Sequence, residues 1–216
     1  VPAITFPSPS INSVDQAART RILRLARIAF FNRGYSAVTM DDLAAELGMS
    51  KKTLYLHFTS KDAILRTIII EIGEEIRAEA NELLGNRTLN FAEKLRGFAE
   101  GMAQRLQSLT PNTLRDLQRY APALHDLVNE MRQTNIPYVF GRFVEEGQLS
   151  GMVRTDLDAA FAVEFYLQAA QGLLQPASLE RLHLAPREVC ARAIDLFFGG
   201  LLTPAGRKEH EKLFPR

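Results

Sequence analysis

The chain has 216 residues, 46% hydrophobic and 24% charged, and its 26 Lys+Arg against 25 Asp+Glu leave a formal net charge of +1. That composition is ordinary for a globular protein and excludes wholesale disorder, while the length fits one large or two modest domains with a real core. The single cysteine, Cys190, cannot close an intramolecular disulfide, so a disulfide scaffold and a Cys-based zinc site are excluded and a reducing, cytoplasmic setting is expected. No apolar run approaches the ~18 residues of a membrane span, and the first residues lack the basic flank and apolar stretch of a signal peptide.

Residues 1–14 carry Pro2, Pro7 and Pro9 with no charge and no period, and read as a flexible arm. Helical spacing starts at Ser13, which with Gln16 fits a capping box; Ile22, Leu25, Ala26, Ala29 and Phe30 then share a face until Gly34 offers a left-handed stop. Thr39 with Asp42 makes a second capping box, opening a short helix with Leu43, Ala44 and Leu47 inward and a break at Gly48-Met49-Ser50. Ser50 caps a third helix, Lys51 to about Phe58, whose buried pair is Leu54 and Phe58. Thr59 or Ser60 opens a longer fourth helix bearing Ile64, Leu65, Ile68, Ile69, Ile72, Ile76, Ala80 and Leu83.

Further helices are expected near 90–108, 113–119 and 122–146, punctuated by Pro111, Pro122 and Gly147 with a kink at Pro137, and then at roughly 156–175 and 186–202. No strand pattern of useful length occurs, so the fold class is all-α. In the last two helices apolar and small residues run nearly all round, which means burial on more than one side. One reading is a two-fold dimer joined through a four-helix interface formed by Phe161, Phe165, Ala169, Ala193, Phe197 and Leu201; the other is a pair of fully internal helices in a larger bundle.

The near-zero net charge conceals an asymmetry. Up to Arg66 there are nine basic residues against five acidic, a balance of +4, and the remainder carries 17 against 20, or −3. Within residues 50–61 stand three lysines and no acid, an electrostatic footprint for an anionic partner as well as for a merely solvated face.

Two short helices joined by a Gly-containing turn, with polar and basic residues along the second, form a helix-turn-helix pattern. Leu54 and Phe58 hold the second helix inward while Lys51, Lys52, Thr53, Tyr55, Leu56 and His57 lie on its other faces, the division that groove reading requires. The run from Thr39 to Leu65, TMDDLAAELGMSKKTLYLHFTSKDAIL, preceded by AFFNRGY at Ala29–Tyr35, resembles the signature of the TetR/AcrR family of bacterial repressors. It departs from that family's pattern at Lys52, where Gly is most common, and at Leu56, where an aromatic or His is common; both positions face DNA in the family, so the departures bear on the operator sequence.

The resemblance implies an N-terminal three-helix helix-turn-helix DNA-binding domain (residues 15–60) and a C-terminal helical effector-binding and dimerisation domain (61–204), with the long fourth helix as lever and 205–216 as a tail. It assigns Thr39, Tyr55 and Lys61 to phosphate contacts, which position without reading sequence, and Lys51, Lys52, Thr53, Leu56 and His57 to base edges. It further implies a dimer on a near-palindromic operator, with recognition helices ~34–36 Å apart, released by a small-molecule effector.

Candidate pocket residues are Phe98, Met102, Arg105, Tyr120, Met131, Asn135 and Tyr138, with His125 as a further polar group; mostly apolar walls favour a hydrophobic or aromatic effector. Gly97 and Gly101, one turn apart in a helix, imply close packing or room for a ligand. No Gly-rich phosphate loop, nucleophile motif or HExxH occurs, so an enzyme is not expected, nor a cofactor. The acidic group Glu71, Glu74, Glu75, Glu79 and Glu82 reads as a solvated helix face, and His57, His125, His183 and His210 show no metal-ligand spacing. The alternative function is an activator, or a small-molecule-binding protein of the same fold with weakened DNA contacts.

Overall fold

A computed structural model describes residues 13–213, which form eleven helices. Among the described residues no strand occurs beyond an isolated antiparallel bridge between Val153 and Leu202. The helices are α1 (Ser13–Arg33), α2 (Met40–Leu47), α3 (Lys51–His57), α4 (Lys61–Gly85), α5 (Phe91–Arg105) and α6 (Pro111–Tyr120). Then follow α7 (Pro122–Leu149), α8 (Ala159–Leu173), α9 (Pro176–Leu182), α10 (Pro186–Leu201) and α11 (Pro204–Leu213). Ser13 and Val14 belong to α1, so the arm expected over 1–14 is shorter at its inner end; its other residues, and the side chain of the Ser13–Gln16 capping box, lie outside those described.

The first three helices wrap Ile22, Ala26, Phe30, Leu43, Leu47, Leu54 and Phe58 into one apolar cluster, which forms a head. The cluster also takes in Ile64, Leu65 and Ile68 of α4 and Ala121, Leu124 and Leu127 of α7. The remaining helices form a body around Phe98, Phe140, Phe143, Tyr166, Phe197 and Phe198, whose rings meet mostly edge-on or tilted, with centroids 4.1–6.2 Å apart. A small separate cluster, Leu114, Leu179 and Val189, lies between α6, α9 and α10.

Two short helices depart from the sequence reading. Pro176 starts α9, and residues expected as a tail form α11, which packs against α5. Both open on Pro at the first turn, where its fixed φ is pre-set for a helix and its missing N–H costs nothing. The Pro137 position is accommodated within α7, which continues to Leu149.

The acidic side of α4 is more than a solvated face. Glu75 accepts from Arg27 of α1 at 3.0 Å and Glu79 from Arg105 of α5 at 2.5 Å, tying three helices together. Burial and the neighbouring Glu75 carboxylate hold Glu71 above the usual carboxylate range. Gly97 and Gly101 serve close packing: a Cβ at Gly97 would lie 3.0 Å from Leu83, and one at Gly101 would collide with the Glu79 carboxylate. A second link joins head to body, where the Ser36 backbone N–H donates to Asp116 Oδ2 of α6 at 2.7 Å and its hydroxyl to Oδ1.

Candidate nucleic-acid interface

The helix-turn-helix is built from local hydrogen bonds. Thr39 accepts from the Asp42 N–H at 3.1 Å while Asp42 accepts from the Thr39 N–H at 2.9 Å, closing a capping box on α2. The hydrogen bonds from Thr39 hold the Asp42 carboxyl below its usual range. Gly48 ends α2 at φ 62°, a left-handed turn that favours Gly, with N–H groups of Gly48 and Met49 satisfying the Ala45 and Ala44 carbonyls. Ser50 then accepts from the Thr53 N–H at 3.0 Å and starts α3.

Leu54 and Phe58 are buried, which fixes how α3 is turned. Lys51, Lys52, Thr53, Tyr55 and Leu56 are thereby exposed together with Thr39; Leu56 is 78% exposed, far more than a large apolar side chain needs unless something covers it. Lys51 pairs with Asp41 at 2.7 Å, and the Asp41 carboxylate raises the Lys51 ammonium above its usual range. Both partners are exposed, so the pair exchanges readily for a phosphate.

Two expected contact residues are drawn away from that surface. The His57 ring is mostly buried with Nδ1 3.0 Å from Asp15 of α1, and the Arg19 guanidinium covers Phe58 at 4.1 Å while donating to the His57 carbonyl. The Lys61 ammonium sits 4.1 Å over the Tyr35 ring and donates to the carbonyls of Tyr35 and Val38 at 3.0 and 3.1 Å. It satisfies the loop before α2, and burial with the Asp62 hydrogen bond keeps the neighbouring Tyr35 phenol protonated well above its usual range. Their partners come from distant positions that helical spacing does not reveal.

The seven expected pocket residues fall in different surroundings. Phe98 is core, 5.9 Å from Phe140, and Met102 packs against the same cluster. Met131 packs on the head cluster, while buried Asn135 donates to the Gly73 carbonyl at 3.0 Å and accepts from Arg77. Tyr120 and Tyr138 are exposed, the latter with Arg77 over its ring at 4.7 Å. Arg105 lines an open cleft of about 380 Å³ with Arg27, Glu75, Glu79 and Gln104, a polar setting unlike the apolar walls expected.

On α8 and α10 the expected interface residues divide. Phe161 (69%) and Phe165 (61%) are exposed and Ala169 and Ala193 are half-buried. Phe197 and Leu201, by contrast, are consumed by the chain's own core, because their stripe of α10 faces α5 and α8. Leu196, 77% exposed, takes their place on the outward side.

Residues 22–68 match the family model described as "Bacterial regulatory proteins, tetR family". The chain is 26% identical over 199 residues to the HTH-type transcriptional regulator UidR of Escherichia coli K12, covering 87% of this chain and 94% of that one. Its fold is similar to Salmonella enterica GusR (TM-score 0.60, 21% identity, 88% of this chain and 98% of that chain). It is similar also to SmeT in complex with triclosan (TM-score 0.61, 17% identity, 88% and 94%); SmeT is described as the repressor of the Stenotrophomonas maltophilia multidrug efflux pump SmeDEF. Among the described residues no helix is long and apolar enough to cross a membrane. Residues 22–68 thus match the tetR-family helix-turn-helix region, and the chain as a whole, with its helical body, is similar to bacterial HTH-type transcription regulators.

Proposed function

We propose that the protein is a ligand-responsive repressor that binds a near-palindromic operator as a homodimer and is released by a small-molecule effector held in the body. The observation that carries this reading is the α3 surface, where buried Leu54 and Phe58 leave Lys51, Lys52, Thr53, Tyr55 and Leu56 outward beside Thr39. In this reading Tyr55 meets a phosphate, Lys52, first expected at a base edge, takes the phosphate role that the inward Lys61 leaves, and Leu56 meets a thymine methyl. His57 and Lys61, engaged within the head, position α3 and the loop before α2. Phe161, Phe165 and Leu196, with Ala169 and Ala193, form the dimer face, so that two heads address major grooves one turn apart, ~34–36 Å. The likeness to SmeT, a repressor solved with triclosan, supports an effector in the body and a repressing role.

The test is a mobility shift with the DNA flanking the protein's own gene, titrated with salt. A specific shift that weakens steeply with salt is expected. No specific shift at any salt sinks the reading. A second reading, a binding protein of the same fold with weak DNA contacts, gains from the Lys51–Asp41 pair and the inward Lys61 ammonium, which leave Lys52 as the recognition helix's lysine without a polar partner among the described residues. It predicts equal, weak binding to operator and random DNA.

A further inference from the structure

Arg132 on α7 contrasts with Lys94 and Arg105, inward-turned cations that meet carboxylates. Lys94, buried on α5, meets Glu146 at 2.6 Å and the Leu84 carbonyl at 3.0 Å, and Arg105 meets Glu79 at 2.5 Å. Arg132 is partly buried, yet its hydrogen bond among the described residues runs to the Asn129 side-chain oxygen at 3.1 Å, and no carboxylate there pairs with it. Helical spacing sets Asn129, Arg132, Ile136 and Phe140 on one face of α7. That face meets α8 and α10, for Phe140 stacks on Tyr166 at 4.1 Å and lies 5.7 Å from Phe197. Arg132 acts electrostatically on Cys190 of α10, whose thiol interacts with the Tyr166 hydroxyl of α8.

This spot falls at a seam in the body. On α8, Ala170 belongs to the large apolar cluster while Leu173 and Leu174 pack on the small one; on α10, Cys190 belongs to the large cluster and Val189 to the small. A guanidinium stays charged in any protein environment, and holding it away from water without an anion is costly. The polar groups beside it are donors or neutral: burial keeps the Tyr166 phenol protonated and pushes the Cys190 thiol up to about 11. The seam therefore holds a positive charge, hydrogen-bond donors and apolar walls, and lacks the negative charge that would complete it.

We propose that Arg132, with Asn129 and Tyr166, receives the carboxylate of a small organic acid whose apolar part lies in the seam between the two clusters of the body. The planar guanidinium fork matches a carboxylate with two parallel hydrogen bonds. The inference rests on the reading that the body holds an effector, and it adds that effector's class and moves its site from the pocket residues expected from the sequence to Arg132 and the facing sides of α7, α8 and α10.

One arm of the test needs no ligand. An arginine kept for a ligand destabilises the empty protein, so Arg132→Met and Arg132→Gln in the full chain should each raise Tm by about 2–4 °C. A lower Tm in both variants makes Arg132 a structural residue and overturns the proposal. The second arm measures Tm with octanoate and 2-naphthoate beside octanamide and 2-naphthamide, and with inorganic phosphate. At least one acid should stabilise the wild type where its amide does not, with affinity falling about tenfold or more in Arg132→Gln. Equal stabilisation by acid and amide, no acid-dependent shift, or unchanged affinity in Arg132→Gln each overturns it, as does phosphate acting alone. DNA binding is read separately by mobility shift, so failure of the regulator reading leaves these melts interpretable, and loss of the acid effect leaves the regulator reading intact.

Discussion

Head and body both leave large apolar side chains in solvent, and their neighbours give those side chains different uses. On α3, Tyr55 and Leu56 stand among Lys51, Lys52 and Thr53, so whatever covers them must bring negative charge beside methyl-sized apolar contacts, as a DNA major groove does. On α8 and α10, Phe161, Phe165 and Leu196 stand among the small residues Ala169, Ala193 and Gly200, with Glu164, Gln168, Arg192 and Asp195 interspersed. Large and small apolar side chains with a charged rim describe a face that a second copy can cover. The composition of the surrounding surface thus identifies the partner better than the exposed residue does.

The harshest trial of that comparison is in the two cores. Phe198→Ala in the body should cost about 3–5 kcal/mol and Leu54→Ala in the head about 2–5 kcal/mol, read by urea denaturation. Because α4 and α7 contribute to the head cluster, Leu54→Ala should still unfold in one transition; an early separate transition would show the head to be independent. Next comes the body's open face. Phe165→Glu combined with Leu196→Glu should convert a dimer into a monomer in sedimentation, with intrinsic stability altered by less than about 0.5 kcal/mol. Persistence of the dimer would move the interface elsewhere.

Smaller effects sharpen the contrast at the head. Thr39→Ala removes the α2 cap and should cost about 0.5–2 kcal/mol by thermal or urea melt. The depressed Asp42 carboxyl means that the stability of this capping box is complete above the ordinary carboxylate value near pH 4 and is lost as pH falls through the lower folded-state value. Asp42→Asn should flatten that acid limb. Last, Leu56→Ala should change stability by less than about 0.5 kcal/mol while altering preference between operator variants. Lys52→Ala should weaken all DNA alike and reduce the salt slope by about 1. If the two substitutions behave identically across sequences, Leu56 is not a reader.

Much of the head was legible in the chain because its devices are local. Thr39 and Asp42, Ser50 and Thr53, and Gly48 act across three residues or fewer, so spacing alone exposes them. His57 and Lys61 turn away from the α3 surface, which spacing does not show, because their partners, Asp15, Tyr35 and Val38, arrive through tertiary packing. In the body, spacing shows apolar and small residues nearly all round α10 but not which of them the chain consumes, since Cys190, Ile194, Phe197 and Leu201 look equivalent to Ala193, Leu196 and Gly200 until α5 and α8 are in place. The expected pocket residues rest on composition, which cannot say that Asn135 is spent on a backbone carbonyl or that Tyr138 is outside. Arg132 carries no motif at all; its interest lies in a missing partner, which only packing reveals.

The closure of the head cluster by Ala121, Leu124 and Leu127 of α7 bears on how chains of this fold can be recombined. A chimera that cuts out residues 15–60 and grafts them onto a foreign body would strip away Ile64, Leu65 and Ile68 as well as the α7 lid, leaving Leu54 and Phe58 facing mismatched side chains. A graft that keeps its own DNA preference must carry α1 through the first turns of α4, together with a stretch of α6 and α7 that includes the Asp116 clasp on Ser36. Exchange of DNA specificity among proteins of this architecture is therefore easier by repainting the outer side of α3, at Lys51, Thr53 and Leu56, than by swapping heads.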